Sequence, residues 1–381
     1  MITSSTRAHA LRSTGFALAA AGLFVSTPLA AHDGGPLPEG HAPAGVMVDH
    51  LHKAGEFMVG YRYGYFRNDG AYLHGTKSVD DHTLRNYACV FPGQDPLDPH
   101  SNKCDMKQKS MTMHMHMLDI MYAPTDWLTL MVMPMWMSMD MTMTPVAGGG
   151  HGGGHGGGGH GGHMGNHSHG TEDFGDTIFG ALIQLSSGPG YNLHTGLMVS
   201  APTGSVDKKG GCHGGHGHGG GSCFTHYMMQ IGSGTWDFMP SLTYTGRMDR
   251  WSWGSQIGGV LRLEDENDSG YRLGDVFYAT AWGSYRLADW ISASVRLLHT
   301  QQGEIEGHYN GPHNHASPPD LQYNYGGRFW DIGFGINTVV PSGPLQGHRL
   351  GIEWLEPIED DVNGYQQERD GTLWVNWSKA F

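Results

Sequence analysis

Residues 111–143 read MTMHMHMLDIMYAPTDWLTLMVMPMWMSMDMTM. Methionine holds every second position on both sides of a short break: Met111, Met113, Met115, Met117 and Met121, then Met131, Met133, Met135, Met137, Met139, Met141 and Met143. None of these twelve is out of phase. A period of two is that of a β-strand, whose alternate side chains share one face. The Ala123–Asp126 segment between the rows is short enough to join two antiparallel neighbours. If Tyr122 pairs with Leu128, then Met117 faces Met133, Met115 faces Met135 and Met113 faces Met137. The alternate face of the second run carries Leu128, Leu130, Val132, Pro134 and Trp136, an apolar band suited to lipid. The methionines then point inward, together with Asp119. His114 and His116 fall on the lipid face, where a place at the outer rim would spare them contact with acyl chains.

The same period recurs along the chain. Residues 56–66 alternate, with Phe57, Val59, Tyr61, Tyr63 and Tyr65 on one face and Glu56, Met58, Gly60, Arg62 and Gly64 on the other. Further runs lie at 110–122, 127–143, 173–186, 191–201, 235–246, 251–263, 271–286, 290–303, 326–339, 347–357 and 370–381. Twelve strands are therefore expected, each long enough to cross a bilayer at a tilt. Short connections (123–126, 187–190, 247–250, 287–289, 341–347) alternate with mostly longer ones (67–109, 144–172, 202–234, 264–270, 304–325, 358–369). That alternation is the mark of periplasmic turns and external loops. Trp127, Trp136, Trp236, Trp251, Trp290 and Trp330 sit near strand ends, as interface girdles require. In lipid only a closed barrel or a helix satisfies every backbone group, and no later stretch is long and apolar enough for a helix. The expected fold is all-β: a closed antiparallel transmembrane β-barrel of about twelve strands, with disordered Gly/His-rich external loops. A soluble secreted β-sandwich would leave the alternating loop lengths unexplained.

The ends agree with an outer-membrane location in a Gram-negative bacterium. Arg7 and Arg12, the apolar run 15–25 and the small residues up to Ala31 predict a signal peptide over 1–31 and Sec-type export. A His-containing segment, 32–53 (His32, His41, His50, His52), is expected in the periplasm. The barrel is expected over 54–381. Phe381 ends an alternating strand with Leu373, Val375 and Trp377 on one face, similar to the signal read by the barrel-assembly machinery. Lys379 departs from that pattern. Outer-membrane lipid and that machinery are the expected partners.

Formal net charge is −14, so nucleic acid is a poor partner. Export favours disulfides, and Cys89, Cys104, Cys212 and Cys223 allow three pairings. The local one, Cys89–Cys104 and Cys212–Cys223, is preferred because it closes two separate loops.

Two Gly/His tracts interrupt the barrel at 147–170 and 207–223. The first carries His151, His155, His160, His163, His167 and His169; the second carries His213, His216 and His218 between Cys212 and Cys223. Neither can bury enough apolar surface to pack, so both are expected to be mobile. A third loop carries His308, His313 and His315. Neutral imidazole binds Cu(II) or Zn, here without the fixed spacing of a structural zinc site. Thioethers select Cu(I) and, by extension, Ag(I). A ladder of weak thioether sites could pass a soft monovalent ion along a pore. The plainer reading of the same rows is flexible apolar filling.

No hydrolase, metalloprotease or phosphate-loop signature is present, and no enzymatic activity is expected. The carboxylates of 264–268 and 356–361 read as solvated loop charges.

Residues 235–246, the Arg272–Asp275 segment with its following strand, the Ala288-Asp289-Trp290 turn and the final strand resemble the "transporter" or "MetA-pathway of phenol degradation" outer-membrane family. The 121–131 segment is similar to a methionine-rich subgroup, and the resemblance covers 54–381 apart from the two tracts. It implies a barrel and uptake of small aromatic compounds. The His/Met load is also similar in style to outer-membrane copper-resistance proteins. The leading expectation is a barrel that binds, sequesters or transports copper. The alternatives are a channel for small hydrophobic or aromatic solutes and a structural surface protein with histidine loops.

Overall fold

The structure, a computed structural model, describes residues 37–147, 166–212 and 221–381. The signal peptide, His32, His151, His155, His160, His163, His213, His216 and His218 lie outside the described residues.

Twelve antiparallel strands close into a barrel. They are β1 (Phe57–Gly75), β2 (Met106–Thr125), β3 (Leu128–Met133 and Met135–Pro145), β4 (His167–Phe174 and Thr177–Gly188), β5 (Tyr191–Ala201) and β6 (Asp237–Met248). Next come β7 (Trp251–Arg262), β8 (Val276–Ala288), β9 (Ile291–Gln302) and β10 (Gly327–Val339). The last element, Arg349–Ala380, supplies two legs: β11 (349–362) pairs with β10, and β12 (365–380) pairs with β1. The legs lie side by side: a Cβ at Gly351 would meet Asn376, and one at Gly371 would meet Trp354. Each strand pairs with its neighbours in sequence, and β1–β2 and β1–β12 pairing completes the ring. No helix among the described residues is long and apolar enough to cross a membrane.

Local chemistry explains the irregularities. Pro134 cannot donate to the ladder and splits β3, and Gly175–Asp176 splits β4 directly opposite. Asp176 secures that kink by accepting from the Gly204 N–H (2.9 Å) and the Ser233 N–H (2.8 Å). The β4–β5 turn is Pro189-Gly190, with Gly190 at φ +83°, a conformation glycine adopts without strain.

Strand positions match expectation closely on the short-turn side. On the loop side the bounds differ: β1 reaches Gly75 rather than stopping at 66 and β2 starts at Met106, whereas β8 starts at Val276 rather than 271, with Tyr271–Arg272 pairing instead with Glu306–Gly307 outside the barrel sheet. The 67–109 connection also contains a short helix, α1 (Asp81–Tyr87), capped by Asp80. Both disulfides are the local ones, Cys89–Cys104 and Cys212–Cys223.

The outer surface is apolar. Along β7, Trp251, Trp253, Ile257 and Leu261 are exposed, while Ser252 and Gln256 are buried. Along β9 and β10, Val295, Leu297, Phe334 and Ile336 face outward, and Ser294, Arg296 and Asn337 face inward. Trp127, Trp251 and Trp290 ring the short-turn end, and Trp236 and Trp330 the other. An apolar belt between aromatic girdles on a closed β-barrel is an outer-membrane exterior.

Residues 37–53 do not stand apart from the barrel, as expected from sequence, but fold into it from the short-turn end. The Ala54 N–H reaches Asp126, and the His52 N–H reaches Thr129 Oγ1 (3.0 Å). Deeper in, the chain is held by His194 at Val48 O (2.9 Å), Gln256 at Met47 O (2.9 Å) and Arg62 at Ala44 O. The Gly45 N–H donates to Glu353 (2.7 Å). The segment returns past Asn337 to Glu39, whose carboxylate pairs with Arg286 (2.6 Å). An extended segment must satisfy its own backbone groups, and the polar side chains lining the wall do so. We call it the plug.

Candidate functional site: an asymmetric lumen

Alternation places the methionine rows on the interior face. Met117, Met121, Met131, Met133, Met139, Met141 and Met143 are almost wholly buried, Met111 and Met137 nearly so, and Met113, Met115 and Met135 partly. The register differs by two residues from the one anticipated. Tyr122 pairs with Leu130, so Met117 faces Met135, Met115 faces Met137, Met113 faces Met139 and Met111 faces Met141. Next to the turn, where Thr125 pairs with Leu128, an irregularity shifts the ladder by one residue before Tyr122. A shift of two preserves the face, as a shift of one would not.

The rest of the lumen wall is polar. Ser241, Thr243, Ser252, Gln256, Thr280, Ser284, Ser292 and Ser294 point inward from β6 to β9. Arg296 (4% exposed) and Glu353 (fully buried) pair at 2.8 Å, and Arg62 pairs with Asp119 at 3.5 Å. Arg369 lies over the Phe329 ring and pairs with Asp360 (2.6 Å) and Asp331 (3.0 Å). Every one of these charges has a partner, as burial demands.

Between the walls lies a cavity of about 720 Å³. The plug residues Gly45–Val48 floor it, Met113, Met133 and Met139 form its greasy side, and Leu298, Leu355 and Trp374 complete the apolar lining. Tyr227, Met228, Ile305 and Tyr325 cover it from the loop side. The cover is rigid: Phe224, Tyr309 and Tyr227 stack in parallel at 4.4 and 4.3 Å, with Tyr271 edge-on at 4.9 Å to Tyr227. Burial pushes the Tyr227 hydroxyl up to about 12, so this cover stays uncharged. A volume of this size suits a small ligand, with apolar walls and few polar groups.

Most methionines pack against one another or under the cover rather than line open space. Met106, Met111, Met137, Met139, Met141 and Met143 form one cluster with Met229 and Ile231. A continuous ladder of accessible sulfurs down a pore is not what the described residues form.

His167 and His169 correct another expectation. They belong to strand β4, not to a loop, and pair with Met143 and Met141 on the interior side. His169 approaches His226 (5.5 Å between ring centroids), whose Nδ1 meets Asp320 at 2.7 Å. The His313 and His315 rings meet edge-on at 4.3 Å between centroids on the same loop side. His114 and His116 sit well within the strand rather than at the rim. On the outer face Tyr63 Oη meets His114 Nδ1 (2.8 Å) and Tyr61 Oη meets His116 Nδ1 (2.6 Å), which meets the hydrogen-bonding needs of these polar groups in the lipid belt.

Sequence reading missed the plug and the second half of the cavity. Met198, Met239 and Leu298 alternate inward on their own strands, a signal that was present but lay far from the methionine rows. The plug has no periodicity to read.

Comparison with known proteins agrees with this architecture. No curated protein matches the chain. Among solved structures, an outer-membrane channel from Pseudomonas putida F1 shares 14% identity over 88% of this chain and 99% of its own, with a TM-score of 0.52. The β-domain of the Bordetella autotransporter BrkA shares 10% identity over 86% and 100%, with a TM-score of 0.44. The P. putida toluene transporter TodX shares 11% identity over 87% and 91%, with a TM-score of 0.36. The chain is thus an outer-membrane β-barrel whose residues 224–352 match the family described as "Putative MetA-pathway of phenol degradation".

Proposed function

We propose that this barrel is an outer-membrane channel for small hydrophobic solutes, aromatic compounds among them. The observation that carries the reading is the methionine-walled cavity between plug and loop cover. Methionine is flexible and polarizable, fills irregular spaces and makes favourable contacts with aromatic rings. A small apolar molecule there exchanges water for thioether and aliphatic surface on one side. The polar wall opposite keeps a hydrated route along the lumen. Passage to the periplasm requires the plug to shift, and its contacts, single hydrogen bonds, the Glu39–Arg286 pair and small apolar residues such as Ala42, Ala44 and Val46, are ones that can be broken a few at a time. The family match over residues 224–352 points the same way.

Soft-metal handling, copper first, remains a second reading. It is favoured by one observation: the methionine rows end at His167 and His169, so soft and borderline donors are continuous on one interior face.

One experiment separates the two. Proteoliposomes carrying the parent chain, M113W/L298W, or the quadruple variant M113L/M115L/M135L/M137L are tested for toluene uptake and for Cu(I) binding. Leucine keeps volume and apolarity. The channel reading expects toluene uptake to fall several-fold in M113W/L298W and to persist in the leucine variant. Uptake by M113W/L298W equal to the parent would overturn it. The copper reading expects Cu(I) affinity to be lost in the leucine variant; unchanged affinity there removes it.

A further inference from the structure

The plug brings together a group of metal-binding side chains that plays no part in the cavity. His41, Asp49 and His50 each offer a ligand atom, and these atoms all lie within 4.8 Å of one another. The chain reverses between them at the Pro43–Val46 turn, closed by the Val46 N–H on Pro43 O at 2.9 Å, and bends again at Val48, which sits at φ +51°. A β-branched residue rarely adopts that conformation. His194 holds the bend by its bond to Val48 O. The turn sets the His50 ring against His41 (4.1 Å between centroids) and against His52 (4.8 Å). The Asp49 carboxylate reaches His50 Nδ1 at 2.8 Å and accepts the Ala42 N–H at 3.0 Å.

Two ring nitrogens in this group are left over. His50 Nε2 and His52 Nε2 are buried without a hydrogen-bond partner among the described residues. The His52 side chain is only 6% exposed. Unsatisfied buried polar atoms call for an occupant.

We propose that His41, Asp49 and His50 form a site for a divalent first-row transition ion, with His52 as a further donor. The two imidazoles are borderline ligands, which with one carboxylate fit Zn(II) and Cu(II) and disfavour the all-oxygen ions Mg(II) and Ca(II). Bonds of about 2.1 Å in tetrahedral geometry need donors about 3.4 Å apart, so the three groups close by about an ångström on binding. The nearby Arg349 opposes a cation, and the Asp49 and Glu39 carboxylates offset it. A bound ion joins the two arms of the plug, residue 41 to residues 49–50, and stiffens the floor of the lumen. The site lies at the short-turn end.

The test uses the full chain in detergent with His151, His155, His160, His163, His167, His169, His213, His216 and His218 replaced by asparagine, so that the tracts are silent. Co(II) titration, with Zn(II) as competitor, reads the site through ligand-field absorption. One Zn-displaceable Co(II) is expected, with affinity falling at least tenfold in H41N and in H50N. Equal affinity in both variants, or no bound Co(II) in the tract-silent chain, would overturn the proposal. A companion measurement needs no substitution in the plug: Zn(II) should protect His41 and His50 of the unaltered chain from diethyl pyrocarbonate, read by mass spectrometry. Unprotected rings would equally overturn it. Toluene uptake uses none of these three side chains, so failure here leaves the channel reading standing.

Discussion

Arg296 and Glu353 show how a single pair can hold two parts of this molecule. They join β9 to β11 across the wall, and Glu353 also accepts the Gly45 N–H of the plug. Neither has access to solvent, so removing one charge strands the other. Glu353→Gln is expected to destabilise the barrel by about 3–5 kcal/mol, read by urea unfolding in detergent. Adding Arg296→Met should recover most of the loss, because the stranded charge then disappears. A Glu353→Gln variant as stable as the parent would mean that the pair is already solvated in the lumen. On the outer surface, Tyr61 and Tyr63 do a smaller version of the same work for His116 and His114, supplying partners where water is absent.

Among the elements, the plug gathers several histidines whose burial ties its stability to pH. Burial is the main cause of the low proton affinity of both His41, held well below the ordinary histidine range, and His52, lowered to about 4. Asp49 and Glu56 face these rings and pull the other way; His50 and, for His41, Arg349 reinforce the burial. The unfolded segment takes up protons near pH 6.5, and the folded one does not. The plug's stability is therefore fully present above about 6.5, falls as pH drops from there toward about 4, and levels off below. Hydrogen exchange over residues 41–52, corrected for intrinsic rates, should be faster at pH 5 than at pH 7.5. Equal protection at the two values would show that the rings are not buried as described. β3 and β4 make a different point about elements: Pro134 and the Gly175–Asp176 kink coincide, so one missing N–H is matched by a bend in its neighbour rather than left as a gap in the ladder.

For the whole molecule, the question is whether the plug closes the lumen. A Cβ on Gly45 would stand 2.6 Å from Trp374, 2.7 Å from Arg296 and 2.8 Å from Glu353, so the plug fits only with glycine there. Gly45→Leu should displace the plug while leaving the strand ring closed. Single-channel conductance in planar bilayers is expected to rise well above the parent's. Parental conductance, with the barrel shown intact by heat-modifiable mobility, would mean that the lumen is closed elsewhere, by the Tyr227–Tyr309 cover.

The sequence by itself determined the wall. Its period of two, the apolar outward face and the alternating connection lengths are local properties, repeated strand after strand, and a closed barrel is the arrangement that satisfies them in lipid. They also placed the methionines of β2 and β3 indoors, because side-chain parity survives a two-residue error in register. The tertiary structure alone decided what fills the interior. Residues 37–53 have no periodicity, and their backbone partners (Glu353, Gln256, His194, Asn337) come from strands far away in sequence. The cavity likewise joins Met113 and Met133 to Met239, Leu298 and Trp374, residues that ring closure brings face to face. His41 meets His50 only because the Pro43–Val46 turn sends the chain back inside that enclosure.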